Sequence, residues 1–232
     1  MKKLGLVGGL GPESTILYYH DIVYGVRARV GEEFFPTLTI ESVDVFRVLE
    51  LCRSGAYETL TEYLLDAIQD LSAAGADFAA LSANTPHIVF EQLEKLAPIP
   101  LVSIGEVTCQ EVQRRGMKKV GLLGTAFTMN GVFFRQPFEE KGIVLVTPNE
   151  LEKQLVHAKI STELERGIVK PGTLDTFLAI VNRMVEEEKI EGLILGCTEL
   201  PLLFQGVSLP VDCLDTKTVH VEALVDRIVG DL

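Results

Sequence analysis

The chain has 232 residues, and 33 acidic against 21 basic side chains give it a formal charge of −12 and a pI near 4.8. This balance argues against a nucleic-acid-binding surface, and 47% hydrophobic with 23% charged residues is typical of a globular protein, not of a disordered or fibrous one. No apolar segment approaches the roughly 18 residues of a membrane-spanning helix. Because the N-terminus also reads as a strand rather than a signal peptide, we expect a cytoplasmic protein without a membrane partner.

Strand and helix patterns alternate along the chain. An apolar run at Leu4–Val7 ends in glycines, and from Pro12 to Val30 apolar residues recur at helical spacing. A helix with an apolar face is predicted over 60–71, and further strands are predicted at 37–41, 78–81, 101–104 and 193–195. Short buried strands that alternate with helices predict an α/β protein with parallel strands joined by right-handed crossovers.

Three short segments recur in the same order in the second half of the chain. KKLGLVG at 2–8 returns as KKVGLLG at 118–124, residues 83–85 match 197–199, and 99–102 match 209–212. We therefore predict two similar α/β lobes, 1–104 with 216–232 and 105–215. If the lobes face each other about a pseudo-two-fold axis, the loops at Ala83 and Cys197 lie on opposite sides of one cleft, beyond the carboxyl ends of the strands.

The glycine loop after the first strand has the pattern G-x-G-x-x-S from Gly9 to Ser14. Its glycines would let backbone N–H groups approach an anion, and Pro12 suits the first turn of a helix whose positive end faces that anion. Three interpretations stay open: a tight strand-to-helix turn, a carboxylate site, and a nucleotide site. The nucleotide site is disfavoured because no acidic residue ends the next strand at the expected distance.

Cys197 follows the predicted strand at 193–195, in a turn expected to start a helix. Since a helix N-terminus lowers the pKa of a thiol, we expect Cys197 to be partly thiolate and able to act as base or nucleophile. Thr198 and Glu199 could hold a ligand by hydrogen bonds. The alternative is an inert core cysteine.

The loop that matches it in the first half is Ser82-Ala83-Asn84-Thr85-Pro86-His87. Asn84 and Thr85 can donate to a carboxylate, although both residue types also form local turns and caps. Ala83 has no titratable group. His87 is expected to cap or pack within its own helix, with contact to the chemistry as the alternative.

The four cysteines, Cys52, Cys109, Cys197 and Cys213, show no CxxC spacing. The histidines likewise show no spacing typical of metal ligands. We therefore expect neither disulfides nor a metal site.

In combination, GGLGPES, SANTPH, LLGT with FTM, and LGCTELP resemble the aspartate/glutamate racemase family of cofactor-independent racemases. The resemblance covers nearly the whole chain. It implies two flavodoxin-like lobes with parallel sheets, an active site in the interdomain cleft, no cofactor, an amino acid or dicarboxylate as the small-molecule partner, and commonly a homodimer. It also implies a catalytic role for position 83 and Cys197, and substrate binding by Leu10, Gly11, Arg47, Cys52, Asn84, Thr85, Thr125, Thr198 and Glu199.

The mechanism of such racemases requires acid–base groups on opposite faces of the α-carbon, because inversion needs protonation from the face opposite to abstraction. This chain departs from the pattern, since Ala83 stands where the first cysteine is usual. A one-thiol enzyme could use water, Ser82 or Cys52 on the other face. Alternatively, the first cysteine was replaced to trap a ligand, or the fold serves other chemistry, either a single-thiol reaction as in the similar arylmalonate decarboxylases or carboxylate binding without turnover.

Arg47 lies just beyond the second predicted strand, roughly where aspartate-specific relatives place an arginine for the side-chain carboxylate. A bidentate guanidinium suits that role. A surface arginine in a flexible loop is the equal alternative. Arg166 and Lys170 are weaker candidates for a second cationic contact.

Overall fold

The computed structural model describes residues 1–230 and divides into two compact units. Unit 1 comprises Met1–Val107 and the C-terminal stretch from Lys217, and unit 2 comprises Thr108–Thr216. No helix within the described residues is both long enough and apolar enough to cross a membrane.

Unit 1 is built on four parallel strands in the order β2-β1-β3-β4. A short 3₁₀ turn at Thr85–Val89 follows β3. Up to the unit boundary, the elements are β1 (Leu4–Gly8), α1 (Pro12–Val30), β2 (Leu38–Ser42), α2 (Val45–Ser54), α3 (Tyr57–Ala73), β3 (Phe78–Leu81), α4 (Phe90–Leu96), β4 (Leu101–Val102) and α5 (Ile104–Arg114).

Unit 2 repeats this plan with four parallel strands in the order β6-β5-β7-β8. Helix α5 runs across the unit boundary, and the last helix returns the chain to unit 1. The elements are β5 (Lys119–Gly124), α6 (Ala126–Asn130), α7 (Val132–Glu140), β6 (Val144–Val146), α8 (Glu150–Thr162), α9 (Pro171–Glu188), β7 (Gly192–Gly196), α10 (Leu200–Leu203), β8 (Asp212–Asp215) and α11 (Thr216–Val229).

Both faces of each central strand are covered, which explains why these strands are continuously apolar instead of alternating. In β7, Leu193 and Leu195 belong to one buried cluster with α8 and α9. Ile194, which points to the other face, packs with the phenylalanines Phe134 and Phe138 of α7. In unit 1, α1 and α11 pack on one face of β1 and β3 through Tyr18, Ile22, Val26, Val221, Leu224, Val225 and Ile228.

A shared hydrogen-bond arrangement at the amino ends of the strands supports the internal repeat. The N–H of Asp77 donates to the Lys3 carbonyl at 2.8 Å, and the Asp77 carboxylate accepts from the N–H of Lys3 at 2.6 Å. In unit 2, Glu191 bonds Lys119 in the same two ways, at 2.7 and 3.2 Å. The predicted α/β class with two parallel-sheet lobes is confirmed.

One predicted strand is too long. The pattern indicated a strand over 101–104, but β4 ends at Val102 and Ile104 is the first residue of α5. The apolar run continues because both elements are buried: Val102 and Ile104 are each less than 7% exposed. Helix α5 starts where the N–H of Val107 bonds the Ser103 carbonyl and the N–H of Ile104 donates to the ring of His87.

Two buried histidines lie in the core of unit 1. His220 of α11 and His87 of the 3₁₀ turn have 0% and 2% of their surface exposed, and their ring centroids are 6.3 Å apart. Burial lowers the pKa of His87 to about 4 and that of His220 to about 3, because a charged ring would lose its hydration there. Both rings are therefore neutral at pH 7.

We predict that the free energy of unfolding falls as the pH is lowered from 6.5 towards 5. In this window the unfolded chain binds protons on these histidines and the folded chain does not, so stability rises with pH. Between pH 6.5 and pH 5 the free energy of unfolding falls by about 2 kcal/mol for each ring, at about 1.36 kcal/mol per pH unit. Urea unfolding across this pH range measures it. His220→Gln should show a shallower slope, and an equally steep slope in that variant would contradict the assignment.

Candidate functional site

The carboxyl edge of the unit 1 sheet carries the glycine loop and the loop at 82–85. Strands β1 and β3 pair with Val7 opposite Leu81, so both loops leave the sheet side by side. The hydroxyl of Ser14, in the first turn of α1, donates to the carbonyl of Ser82 at 2.7 Å. The sequence-predicted residues Leu10, Gly11, Ala83, Asn84 and Thr85 thus belong to two tethered loops.

The glycine loop requires glycine at its first turn. Gly9 has φ 74°, and a Cβ there would stand 2.2 Å from the Val43 carbonyl oxygen. The N–H of Gly9 donates to the hydroxyl of Thr15 at 2.9 Å, and Pro12 occupies the first turn of α1. Gly11, which precedes α1, provides no side-chain cap, so the first N–H groups of this helix have no side-chain acceptor from that position.

The residues of the 82–85 loop differ in accessibility. Ala83 and Thr85 are half-buried, Asn84 is 7% exposed, and Ser82 is fully buried. The hydroxyl of Ser82 lies 3.4 Å from that of Thr15, and the ring of His87 is bonded to the carbonyl of Ala83. The loop is therefore well anchored, and the methyl group at position 83 has no proton to donate.

Arg47 and Cys52 both belong to α2. The guanidinium of Arg47 stacks on the ring of Tyr63, 4.3 Å from its centroid. It lines a cavity of about 340 Å³ whose walls also carry the carboxylates of Glu41, Glu62, Asp66 and Asp70. The charge around this guanidinium is thus mainly negative, and binding of a substrate carboxylate by Arg47 stays a prediction. Cys52 is buried, which raises the pKa of its thiol to about 11.

The carboxyl edge of the unit 2 sheet carries the remaining sequence-predicted residues. Gly124 of β5 pairs with Gly196 of β7, so Thr125 and Cys197 follow neighbouring strands at one edge. The two backbones approach closely, since a Cβ on Gly124 would lie 3.1 Å from the carbonyl oxygen of Gly196. Thr125 precedes α6, and its hydroxyl lies 3.4 Å from that of Thr128.

Cys197 and Glu199 form a hydrogen-bonded pair. The thiol donates to Glu199 Oε2 with 2.7 Å between the two heavy atoms, and the hydroxyl of Thr198 donates to Glu199 Oε1 at 2.9 Å. Cys197 is 9% exposed. Burial, followed by the negative charge of Glu199, raises the pKa of the thiol well above its ordinary value of 9.0.

The predicted partial thiolate at Cys197 is therefore wrong. The helix that was expected to lower its pKa, α10, has only four residues and begins three positions later at Leu200. A helix this short exerts little field, whereas burial and the adjacent carboxylate both favour the protonated form. At neutral pH this residue is a thiol.

The segment before α9 supplies a carboxylate that sequence reasoning missed. Glu165 exerts a further electrostatic effect that raises the pKa of Cys197. Nearby in sequence, Glu163 is 5% exposed and bonds Lys159 Nζ at 2.7 Å, Lys170 Nζ at 3.4 Å and the Thr173 hydroxyl. Lys170 is thus engaged by Glu163. Thirty-two positions separate Glu165 from Cys197, so spacing alone carried no signal for this proximity.

We predict that Glu199→Gln lowers the pKa of the Cys197 thiol, because it removes the neighbouring negative charge. The measurement is the rate of iodoacetamide labelling of each cysteine as a function of pH, read by mass spectrometry. Cys213, a half-buried thiol of unit 2 whose pKa is raised to about 11, is the internal control and should be unchanged. An unchanged or raised midpoint at Cys197 would contradict the pairing.

Comparisons of the sequence and of the fold with known proteins identify the family of this chain. The model of the Asp/Glu/Hydantoin racemases matches residues 7–224. A solved aspartate racemase homologue from Pyrococcus horikoshii OT3 is 35% identical, with 99% of this chain and 100% of that one covered and a TM-score of 0.87.

Two further proteins extend the similarity. A solved structure from Yersinia pestis, provisionally named an Asp/Glu racemase, is 33% identical with the same coverage and a TM-score of 0.94. The broad specificity amino-acid racemase RacX of Bacillus subtilis strain 168 is 21% identical over 96% of both chains. The chain belongs to the Asp/Glu/hydantoin racemase family.

Proposed function

We propose that the protein is a cofactor-independent amino-acid racemase acting on aspartate, glutamate or a related amino acid. In this proposal, Cys197 is the acid–base group, and Ala83 occupies the position of the first cysteine of a two-thiol enzyme. The observation that carries it is the 2.7 Å contact between the Cys197 thiol and the Glu199 carboxylate. The family and its named relatives supply the reaction class.

The thiol–carboxylate pair provides both the thiolate and the thiol form of Cys197, which proton transfer from and to a carbon needs. When Glu199 takes the Sγ proton, the thiolate can remove the α-proton, and the electron pair of the broken C–H bond remains on the substrate as a carbanion. The thiol can then return a proton to that carbon. In the same proposal, Asn84, Thr85 and Thr198 donate hydrogen bonds to the substrate carboxylate, which stabilises the developing negative charge.

Ala83 has a consequence for the stereochemical outcome. Inversion needs a proton donor on the face opposite to abstraction. Of the candidates for that face, Ser82 and Cys52 are buried, and the thiol pKa of Cys52 is raised to about 11, so we favour water. Return of a proton from the face of Cys197 then outpaces inversion, and hydrogen exchange with retention of configuration is faster than racemisation.

A single-thiol decarboxylase is the second candidate. The observation that favours it is that Cys197 rests as a thiol, which is the proton donor a carbanion needs after loss of CO₂, and such a reaction requires a donor on one face only. Arylmalonate decarboxylase shares the fold at 13% identity and a TM-score of 0.56. This likeness concerns the fold alone.

A homodimer is expected from the family resemblance.

We predict that the protein exchanges the α-proton of one enantiomer of an acidic amino acid in D₂O. Cys197→Ala should slow this exchange by about 10²-fold or more, the usual contribution of a general acid–base group. Proton NMR measures the exchange, and circular dichroism measures inversion in the same sample. Cys213→Ala is the matched control and should retain the wild-type rate.

The outcomes separate the candidate functions. Wild-type exchange that survives Cys197→Ala would remove Cys197 from the chemistry. Absence of exchange with every acidic and neutral amino acid, combined with CO₂ release from arylmalonates, would replace the racemase by the decarboxylase. Thermal stabilisation by dicarboxylates without any turnover would indicate a binding protein.

We further predict that Ala83→Cys raises the racemisation rate about tenfold or more, because it supplies a proton donor at the position where two-thiol relatives carry one. Racemisation should increase relative to exchange with retention. Ala74→Cys, which adds a thiol at an exposed site away from the loop, is the control and should have no effect. No gain in a folded Ala83→Cys protein that still binds substrate would contradict the role given to position 83.

A further inference from the structure

His87 lies four residues after Ala83, and both of its ring nitrogens are engaged. Nδ1 is 2.9 Å from the carbonyl oxygen of Ala83, and Nε2 is 3.2 Å from the backbone nitrogen of Ile104, the first residue of α5. The ring stacks on Phe90 with 5.0 Å between centroids and an interplanar angle of 7°. The ring thus connects the loop at 82–85 to the start of a helix 17 residues further along the chain.

These partners define the protonation of the ring. The carbonyl of Ala83 can only accept, so Nδ1 carries a hydrogen, whereas the N–H of Ile104 can only donate, so Nε2 carries a lone pair. His87 is therefore the neutral Nδ1–H tautomer. A second proton on Nε2 would point at the N–H of Ile104, and the fully buried surroundings oppose the charge as well.

A second histidine supports the ring from its side. His220 meets His87 at a centroid distance of 6.3 Å and an angle of 74°. The hydroxyl of Tyr18 lies 2.9 Å from His220 Nδ1, and His220 Nε2 lies 3.2 Å from the carbonyl oxygen of Val102. Because Val102 can only accept there, Nε2 of His220 carries the hydrogen and Nδ1 accepts from Tyr18. His220 thus holds α1, β4 and α11 together.

We propose that His87 is a positioning residue for the proposed racemase reaction. It acts through its neutral Nδ1–H, which holds the carbonyl of Ala83 and thereby sets the direction of Asn84 and Thr85. This proposal rests on the proposed function, in which those two residues hold the substrate carboxylate. Without the bond to Ala83, the loop relaxes and binds substrate less tightly, while the thiol–carboxylate pair in unit 2 is unaffected.

The experiment compares three variants that keep different parts of the arrangement. His87→Asn places an amide N–H near the position of Nδ1, so it retains the bond to Ala83. His87→Gln places its amide oxygen near the position of Nε2, so it can still accept from the N–H of Ile104 but loses the bond to the carbonyl of Ala83. His220→Gln is the matched control, because it disturbs the same core and leaves the Ala83 bond in place.

We expect His87→Gln to raise KM about tenfold, equivalent to 1.4 kcal/mol of binding free energy, with kcat within about threefold of wild type and the pH profile unchanged. His87→Asn should restore most of the wild-type KM. His220→Gln should lower the melting temperature and leave KM unchanged, since a variant that is merely less stable loses active protein and not affinity. Hydrogen–deuterium exchange of the backbone at 82–86 should accelerate in His87→Gln and not in His220→Gln.

A readout independent of turnover keeps this test separate from that of the proposed function. Nitrogen-15 NMR of histidine-labelled wild-type protein should show a neutral Nδ1–H ring signal that disappears in His87→Asn. If the wild type turns over no amino acid, the proposed function fails, and the tautomer and the exchange at 82–86 still decide whether His87 holds the loop. An Nε2–H tautomer at His87, an unchanged loop exchange in His87→Gln, or equal KM effects in His87→Gln and His220→Gln would overturn the proposal.

Discussion

The pairing of the two central strands in each unit is the constraint on which the site residues depend. Because Val7 stands opposite Leu81 in one unit and Gly124 opposite Gly196 in the other, the loops that follow these strands leave the sheet at a common edge. Small residues make this pairing compatible with the turns beyond it. A Cβ on Gly8 would lie 2.7 Å from a methyl group of Thr15, which would displace the first turn of α1.

Features that arise from local sequence could be predicted. The buried strands are continuous apolar runs, Pro12 lies in the first turn of α1, and the repeated KKxGLxG segments both become the first strand of a four-stranded sheet. The boundary between β4 and α5 could not be predicted this way. Ile104 continues the apolar run of β4 but is the first residue of α5. Its N–H donates to His87, which lies 17 residues earlier in the chain, and an apolar pattern does not reveal this contact.

The protonation of Cys197 shows the same limit in the candidate site. A spacing of two residues placed Glu199 near the cysteine but could not show that its carboxylate turns back to accept the thiol proton. Burial of the thiol is a property of the packed unit, and the effect of Glu165 arises from a distant part of the chain. The helix expected after Cys197, α10, is too short in the structure to outweigh these effects.

The two carboxyl edges differ in the charge that surrounds their loops. Around Cys197, burial and then the negative charges of Glu199 and Glu165 raise the pKa of the thiol. Around Ala83, the ring of His87 is neutral and donates to the backbone, with the neutral ring of His220 behind it. In the proposed reaction, a cationic side chain at the 82–85 loop would attract an anionic substrate to a chain whose formal charge is −12. A protonated His87 would keep its bond to Ala83 but lose the bond from Ile104, which ties the ring to α5, so a neutral ring is the form compatible with this geometry.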